Sequence, residues 1–144
     1  MKAAILDTDI LSYVIGRRYP EVSAKAQQYF RVFRQLSVSS VTVAEIVKGI
    51  ARKPDHEADL AEFLKEVEKL EIFPLYREEA LLSGQILGAL LKTGQQIGPL
   101  DPFIAATAIQ NGRVLVTNNT KHYQRIVDLG FPLQLDNWRE PDPS

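Results

Sequence analysis

The chain has 144 residues, of which 45% are apolar and 24% are charged, and its formal net charge is −1. These proportions are typical of one globular domain, because a chain of this length can bury roughly 70% of its unfolded surface. The absence of cysteine excludes disulfides, thiolate metal sites and a cysteine nucleophile, and it fits a reducing, cytoplasmic location.

Short apolar segments alternate along the chain with longer segments of helical periodicity. The predicted elements, in chain order, are a strand at 3–6, helices at 8–15 and 20–35, a strand at 36–39, helices at 42–52 and 57–70, a strand at 72–75, helices at 78–92 and 102–110, a strand at 114–116 and an edge strand at 133–135. This alternation predicts an α/β fold with a short, mostly parallel central sheet. Because the strands are uniformly apolar, we expect helices on both faces of that sheet.

The domain organisation follows from the two ends of the chain and from the lengths of its apolar segments. After Met1 the apolar run is short and Asp7 follows at once, so the start does not resemble a signal peptide. No apolar stretch approaches the ~20 residues that a membrane helix needs, and we expect no membrane association. We predict one domain over residues 1–138 and a flexible tail over 139–144, which contains two prolines.

Acidic and hydroxyl side chains follow the predicted strands, which is where an open parallel sheet binds its ligands. Asp7 follows the first strand, Glu45 lies shortly after the second, and Thr117 and Asn119 follow the fourth, while Asp101 opens a helix. We expect the three acidic residues to converge. Two carboxylates ~4 Å apart repel by about 4 kcal/mol at an effective dielectric constant near 20. Convergence would therefore require a hard, oxygen-binding cation such as Mg²⁺ or Mn²⁺.

Each acidic residue also has a purely structural interpretation. Asp7 or Asp9 would cap the helix that follows, and Thr42 and Glu45 have the spacing of a capping box. Asp101 stands before a proline, as an N-cap residue often does. Capping and metal binding are compatible, because helix amides keep a carboxylate ionised.

Four segments of the chain resemble the motifs of PIN-domain toxins of the VapC type. They are ILDTDILSY at residues 5–13, SSVTVAEIVKGI at 39–50, GPLDPFIAATA at 98–108 and LVTNNTKHY at 115–123. The closing LDNW at 135–138 is also similar to the end of that family. The resemblance spans nearly the whole chain in the right order, and it implies a single PIN-like domain.

The resemblance implies a magnesium-dependent endoribonuclease that is the toxin of a type II toxin–antitoxin pair. It implies that Asp7 and Asp101 bind Mg²⁺, which Mn²⁺ could replace, and that Glu45 completes the acidic pocket as a further ligand. Thr8 would orient ligands or water beside Asp7. Asn119, the fourth predicted catalytic residue, stands where many members of the family have an aspartate. Its amide can offer one oxygen to a metal or a water, but it carries no charge and weakens any second metal site.

The implied reaction is hydrolysis of an RNA phosphodiester, which leaves a 5′-phosphate and a 3′-hydroxyl. Glu45 or Asp7 would orient the attacking water or accept its proton. Lys48 and Arg52, one helical turn apart, are predicted to bind RNA phosphates, and Thr117 is predicted to contact the substrate.

The resemblance also implies two protein partners, a second copy of the chain and a cognate antitoxin. The antitoxin would lay a peptide across the active-site groove and place a basic side chain on the carboxylates. This would displace metal or substrate by competition between charges.

Two other functions stay open at this point. Asp7 and Asp9 after a first strand fit the aspartate pair of a haloacid-dehalogenase-like phosphatase, although no acidic pair follows a late strand here. A catalytically inactive PIN domain that only binds RNA or protein is favoured by Asn119 and by the near-neutral net charge.

Overall fold

The computed structural model describes residues 1–141, and these form a five-stranded sheet and seven helices. The strands are β1 (Ala4–Leu6), β2 (Ser37–Ser39), β3 (Glu71–Phe73), β4 (Val114–Val116) and β5 (Leu135–Asp136). They lie in the order β3-β2-β1-β4-β5, and each neighbouring pair is parallel. The predicted α/β class and parallel sheet are therefore confirmed.

The helices cover both faces of this sheet, as the apolar strands predict. They are α1 (Thr8–Gly16), α2 (Pro20–Phe33), α3 (Ser40–Ala51), α4 (His56–Val67), α5 (Arg77–Lys92), α6 (Asp101–Gln110) and α7 (Thr120–Asp128). Successive residues of β1 point to opposite faces of the sheet. Ile5 packs into a cluster with residues of α5, α6 and α7, whereas Ala4 and Leu6 pack into a second cluster with residues of α1 and α2.

Three local details differ from the prediction. Helix α7 was not predicted, although Tyr123 and Ile126 form its buried face one turn apart. Helix α3 begins at Ser40, two residues before the predicted start, because the side chain of Ser39 accepts a hydrogen bond from the Val41 N–H at 3.1 Å and caps it. The last strand is β5, which begins at the residue where the predicted edge strand ends.

The carboxyl-terminal segment packs against α2. Trp138 is buried, and its ring lies 5.8 Å from that of Tyr29, centroid to centroid. The guanidinium of Arg139 lies 3.8 Å from the centroid of the Tyr19 ring. The predicted tail begins at this residue, and its last three positions, 142–144, lie outside the described residues. Across residues 1–141, none of the helices combines the length and the apolarity that crossing a membrane requires.

Candidate active site

Asp7 lies at the carboxyl edge of the sheet, where β1 ends and α1 begins. It is the N-cap of α1, and its Oδ1 accepts a hydrogen bond from the Thr8 N–H at 2.9 Å. Its Oδ2 accepts one from Thr117 Oγ1 at 2.8 Å, because β4 lies beside β1 in parallel register. The hydroxyl of Tyr123 donates to Oδ1 at 3.2 Å. Only 6% of Asp7 is exposed, so its orientation is well defined.

Asp101 approaches the same place from the start of α6. Its Oδ2 accepts a hydrogen bond from the Gly98 N–H at 3.0 Å. A Cβ atom on Gly98 would lie 2.7 Å from this oxygen, so the close approach requires glycine. The N-cap position of α6 is Leu100, and Asp101 is the first residue of the helix rather than its cap. The Tyr123 hydroxyl interacts with Asp101 as well as with Asp7.

Glu45 is joined to this pair through Thr8, the residue that follows Asp7. Thr8 Oγ1 donates to Glu45 Oε1 at 2.7 Å and lies 3.2 Å from Thr42 Oγ1. The capping-box interpretation of Thr42 and Glu45 is wrong, because Thr42 is fully buried inside α3 and Ser39 caps that helix. Glu45 faces the acidic residues and not the backbone of its own helix, and its charge acts on Asp101.

Asp9 is a fourth acidic residue at this edge, and from its sequence position it was predicted only as a helix cap or as half of an aspartate pair. Its Oδ1 accepts a hydrogen bond from the Ile10 N–H at 2.7 Å, and its Oδ2 accepts one from the Asn118 N–H at 3.0 Å. The carboxylate therefore fastens the first turn of α1 to the loop that follows β4. It also adds negative charge close to Asp7 and Asp101.

Crowding and burial of these acidic side chains shift their pKa values upward. Burial, with a smaller contribution from the charge of Asp101, raises the pKa of Asp7 to about 6, although three hydrogen bonds lower it. Burial, and then the charge of Asp7, raise the pKa of Asp9 to about 6. Burial also raises the pKa of Asp101, with contributions from the charges of Glu45 and Asp9. The pKa of Tyr123 lies well above its ordinary value, mainly through burial, so its hydroxyl stays protonated and remains a donor.

The oxygen atoms at this edge suit a magnesium ion that keeps several of its waters. They do not form a closed cage of protein ligands. Across residues 1–141, no three acidic or histidine side chains already surround a point at which they could hold a metal ion. Mg²⁺ in proteins usually keeps several waters and takes one or two carboxylates. Asp7 and Asp101 meet this requirement, and Oδ2 of Asp7 has a lone pair left beyond its bond from Thr117. The three-carboxylate site that includes Glu45 stays a prediction.

The remaining predicted residues lie in different surroundings. Thr117 is fully buried, and its hydroxyl donates to Asp7 and accepts a hydrogen bond from the Asn119 N–H at 2.9 Å. Its contact with substrate stays a prediction. Asn119 is the N-cap residue of α7 and is partly buried. Lys48 and Arg52 are exposed, one turn apart at the carboxyl-terminal end of α3. Their contact with RNA stays a prediction.

Tyr123 was missed as a site residue, although it closes the fourth motif. A signal was present in the sequence, since a tyrosine on the apolar face of a helix that starts at this edge needs a partner for its hydroxyl. The sequence alone did not place that helix, and the partner therefore stayed unknown.

Comparisons with known proteins agree with this architecture. A family model described as PIN domain matches residues 4–128. The chain is 34% identical over 134 residues to ribonuclease VapC2 of Haemophilus influenzae, and the match covers 93% of this chain and 96% of that protein. It is 29% identical over 123 residues to the tRNA(fMet)-specific endonuclease VapC of Shigella flexneri, over 85% of this chain and 90% of that one. Among solved structures, VapBC-1 from nontypeable Haemophilus influenzae superposes with a TM-score of 0.81 and 28% identity, over 96% of this chain and 99% of the matched chain.

Proposed function

The chain belongs to the PIN-domain family, and from that premise we propose that it is a metal-dependent endoribonuclease and the toxin of a toxin–antitoxin pair. The observation that carries this proposal is the crowding of ionisable oxygens at the carboxyl edge of the sheet. Asp7 is buried there beside Asp101, and the pKa of each is raised by burial and by neighbouring carboxylates. A divalent cation would relieve this repulsion.

We propose that Asp7 and Asp101 hold the cation, which is Mg²⁺ with Mn²⁺ as a substitute, and that Glu45 faces it from α3. A bound Mg²⁺ supplies positive charge for the scissile phosphate and lowers the pKa of a coordinated water. The Thr117 hydroxyl and the Thr8 N–H each donate a hydrogen bond to the Asp7 carboxylate. These bonds fix its orientation and favour its ionised form.

Glu45 is the proposed general base. Its Oε1 is held by Thr8 Oγ1 at 2.7 Å, which leaves Oε2 to orient a water and accept its proton. Lys48 and Arg52 extend from the same helix and would bind RNA phosphates beyond the site. A net charge of −1 makes such a local patch necessary.

The phosphatase alternative has weaker support. It needs Asp9 as a mobile acid/base, whereas both oxygens of Asp9 accept hydrogen bonds from backbone N–H groups. The inactive alternative is disfavoured because the chain keeps Asp7, Glu45 and Asp101 together, at the cost of repulsion between them.

The proposal is tested by incubating the purified protein with total RNA in the presence of Mg²⁺ or of EDTA. Because the Shigella relative is named for tRNA(fMet), that tRNA is the first defined substrate to assay. Wild-type protein should cleave RNA in Mg²⁺ and not in EDTA. The substitutions Asp7→Asn and Asp101→Asn should each lower the cleavage rate in Mg²⁺ by roughly 100-fold or more. Asp128→Asn, on the exposed last turn of α7, is the matched control and should cleave normally.

Two outcomes would count against this function. Full cleavage by Asp7→Asn or Asp101→Asn would show that the substituted residue is not a required metal ligand. RNA binding that is equal with and without Mg²⁺, with no cleavage at any Mg²⁺ concentration, would favour the inactive alternative.

A further inference from the structure

Tyr123 joins the two carboxylates that are the proposed metal ligands, although it comes from a different helix. Its side chain is fully buried, and its hydroxyl lies 3.2 Å from Asp7 Oδ1 while it also interacts with Asp101. We propose that Tyr123 is a positioning residue whose hydroxyl sets the separation of Asp7 and Asp101 for a divalent cation. This inference rests on the proposed function of the same site.

The hydroxyl is not required to fill the core. The ring of Tyr123 belongs to the apolar cluster that contains Ile5, Ile126 and Leu133, so a phenylalanine ring would occupy the same space. The oxygen atom is therefore the part of the side chain that needs a separate explanation. It lies where the apolar cluster ends and the acidic edge of the sheet begins.

The geometry around the oxygen explains why it acts on both carboxylates together. A phenol has one proton, so it donates to one carboxylate at a time. It donates to Asp7 Oδ1 at 3.2 Å, and rotation of the O–H bond would turn the same proton toward Asp101. The hydroxyl thus serves both carboxylates as a neutral donor and leaves their charges in place. Two buried carboxylates whose charges act on each other make a region of negative potential beside this hydroxyl, which suits a hard cation.

Within residues 1–141, the other side-chain hydrogen bonds of the two acids do not connect them. Asp7 is held by Thr8 and Thr117, which belong to the β1 and β4 ends of the sheet. Asp101 is held by the Gly98 N–H within its own loop. Tyr123 is the partner that they share, and α7 carries it between them.

The test replaces Tyr123 with phenylalanine in the full chain and measures Mg²⁺ binding by calorimetry, in the absence of RNA. The dissociation constant for Mg²⁺ should rise by roughly 10-fold or more, as is typical when a group that orients a metal ligand is removed. In cleavage assays, the Mg²⁺ concentration for half-maximal rate should rise in parallel, and saturating Mg²⁺ should restore most of the maximal rate.

The matched control is Tyr29→Phe. Tyr29 is equally buried, but its hydroxyl bonds the backbone of Ala4, on the other face of the sheet. This variant should lose stability and keep the wild-type affinity for Mg²⁺. Unchanged Mg²⁺ affinity in Tyr123→Phe would overturn the inference, and if Asp101→Asn still loses binding, the proposed function would survive.

A second measurement covers the case in which Tyr123→Phe does not fold. In wild-type protein with ¹³C-labelled tyrosine, the Cζ resonance of Tyr123 should shift during a Mg²⁺ titration, and that of Tyr29 should stay in place. A Tyr123 signal that does not move while Mg²⁺ binds would contradict the positioning role.

Discussion

At the scale of single residues, Asp7 has a structural part and a chemical part at once. It caps α1 through the Thr8 N–H, and it is buried beside Asp101 at the edge of the sheet. The hydrogen bond from the Thr8 N–H stabilises the start of α1, whereas burial beside Asp101 disfavours the ionised form of Asp7. Both parts predict measurable consequences.

The stability of the metal-free protein should fall as the pH rises through the range in which Asp7 ionises. Burial raises the pKa of Asp7 to about 6 in the folded state, above its value of 3.8 when unperturbed. Between those two values the folded state holds a proton that the unfolded state has released, so raising the pH favours unfolding. The difference corresponds to about 3 kcal/mol at neutral pH.

Urea unfolding of wild type and Asp7→Asn in EDTA, at pH 5 and pH 7.5, measures this contribution. The stability of the variant relative to wild type should be greater at pH 7.5 than at pH 5 by about 1.4 kcal/mol, because about half of the contribution is already present at pH 5. Asp9, whose pKa is also raised to about 6, is present in both proteins, and the loss of the Asp7 charge lowers the pKa of Asp9 in the variant, which adds to the difference in the same direction. An equal stability difference at both pH values would contradict the buried-charge explanation.

Gly98→Ala should disable the site without unfolding the protein. The new Cβ atom would lie 2.7 Å from Asp101 Oδ2, and the carboxylate is the part that can turn away. A displacement of about 1 Å at a reacting centre can lower the rate by roughly 100-fold. Cleavage rate and melting temperature are measured together, with Gly88→Ala as control because a Cβ atom there meets open space. A normal rate in Gly98→Ala would show that Asp101 does not need this orientation.

At the scale of secondary-structure elements, Arg113 ties the amino ends of several strands together. Its Nη1 donates to Ser37 Oγ at 3.1 Å and to the Ala4 carbonyl at 3.3 Å, and its Nη2 lies 3.3 Å from Glu71 Oε1. Its guanidinium also lies 4.6 Å from the centroid of the Phe73 ring. This cluster lies at the amino ends of β1, β2 and β3, whereas the acidic residues follow the carboxyl ends of the strands. We therefore expect it to stabilise the fold without taking part in cleavage.

Arg113→Ala should therefore lower stability and leave the site chemistry intact. We expect the free energy of unfolding to fall by roughly 2–3 kcal/mol, less than for a fully buried ion pair because Glu71 is 42% exposed. Chemical denaturation measures the loss, and the cleavage rate at low temperature should stay within about two-fold of wild type. Arg77→Ala, at a side chain that is 83% exposed, should change neither quantity. A large loss of Mg²⁺ affinity in Arg113→Ala would contradict this prediction, because it would show that the cluster around Arg113 supports the acidic site.

At the scale of the whole molecule, the strand order accounts for the position of the site. β1 is central, with β2 on one side and β4 on the other. The chain passes from β1 to β2 and β3 on one side and then returns to β4 on the other side of β1. The strand order therefore reverses between β1 and β4, and such a switch point opens a crevice beyond the carboxyl ends of the strands. Asp7 follows β1, Thr117 follows β4, and α3, which carries Glu45, follows β2. These connections therefore bring the three residues to one crevice.

The proposed partner leads to a prediction about the complete assembly. Expression of the chain without its antitoxin should arrest growth, and co-expression of the antitoxin or the Asp7→Asn substitution should relieve the arrest. Because the antitoxin is expected to place a basic side chain on the carboxylates, the purified complex should bind Mg²⁺ more weakly than the free toxin. Calorimetry on both forms measures this difference. Growth arrest by Asp7→Asn at equal expression would contradict the nuclease mechanism.

Much of the fold was predictable from local patterns. The strands β1, β2, β3 and β4 were each predicted within two residues of their observed ends, because short apolar runs between helical segments identify buried parallel strands. The start of α3 was misplaced since Ser39 and Thr42 are both good capping residues, and only the observed bond from Val41 distinguishes them. Helix α7 was missed because its nine residues carry few apolar side chains.

The sequence by itself determined the succession along the chain of the strands and of every helix except α7, and it identified which acidic residues follow the strands, since both depend on neighbours a few positions apart. Only the tertiary structure decided what those acids touch. The bonds from Thr117 and Tyr123 to Asp7 join residues 110 and 116 positions apart. Such partners are set by strand order and by the packing of α7 on the sheet, and no local pattern in the chain encodes a contact over that separation.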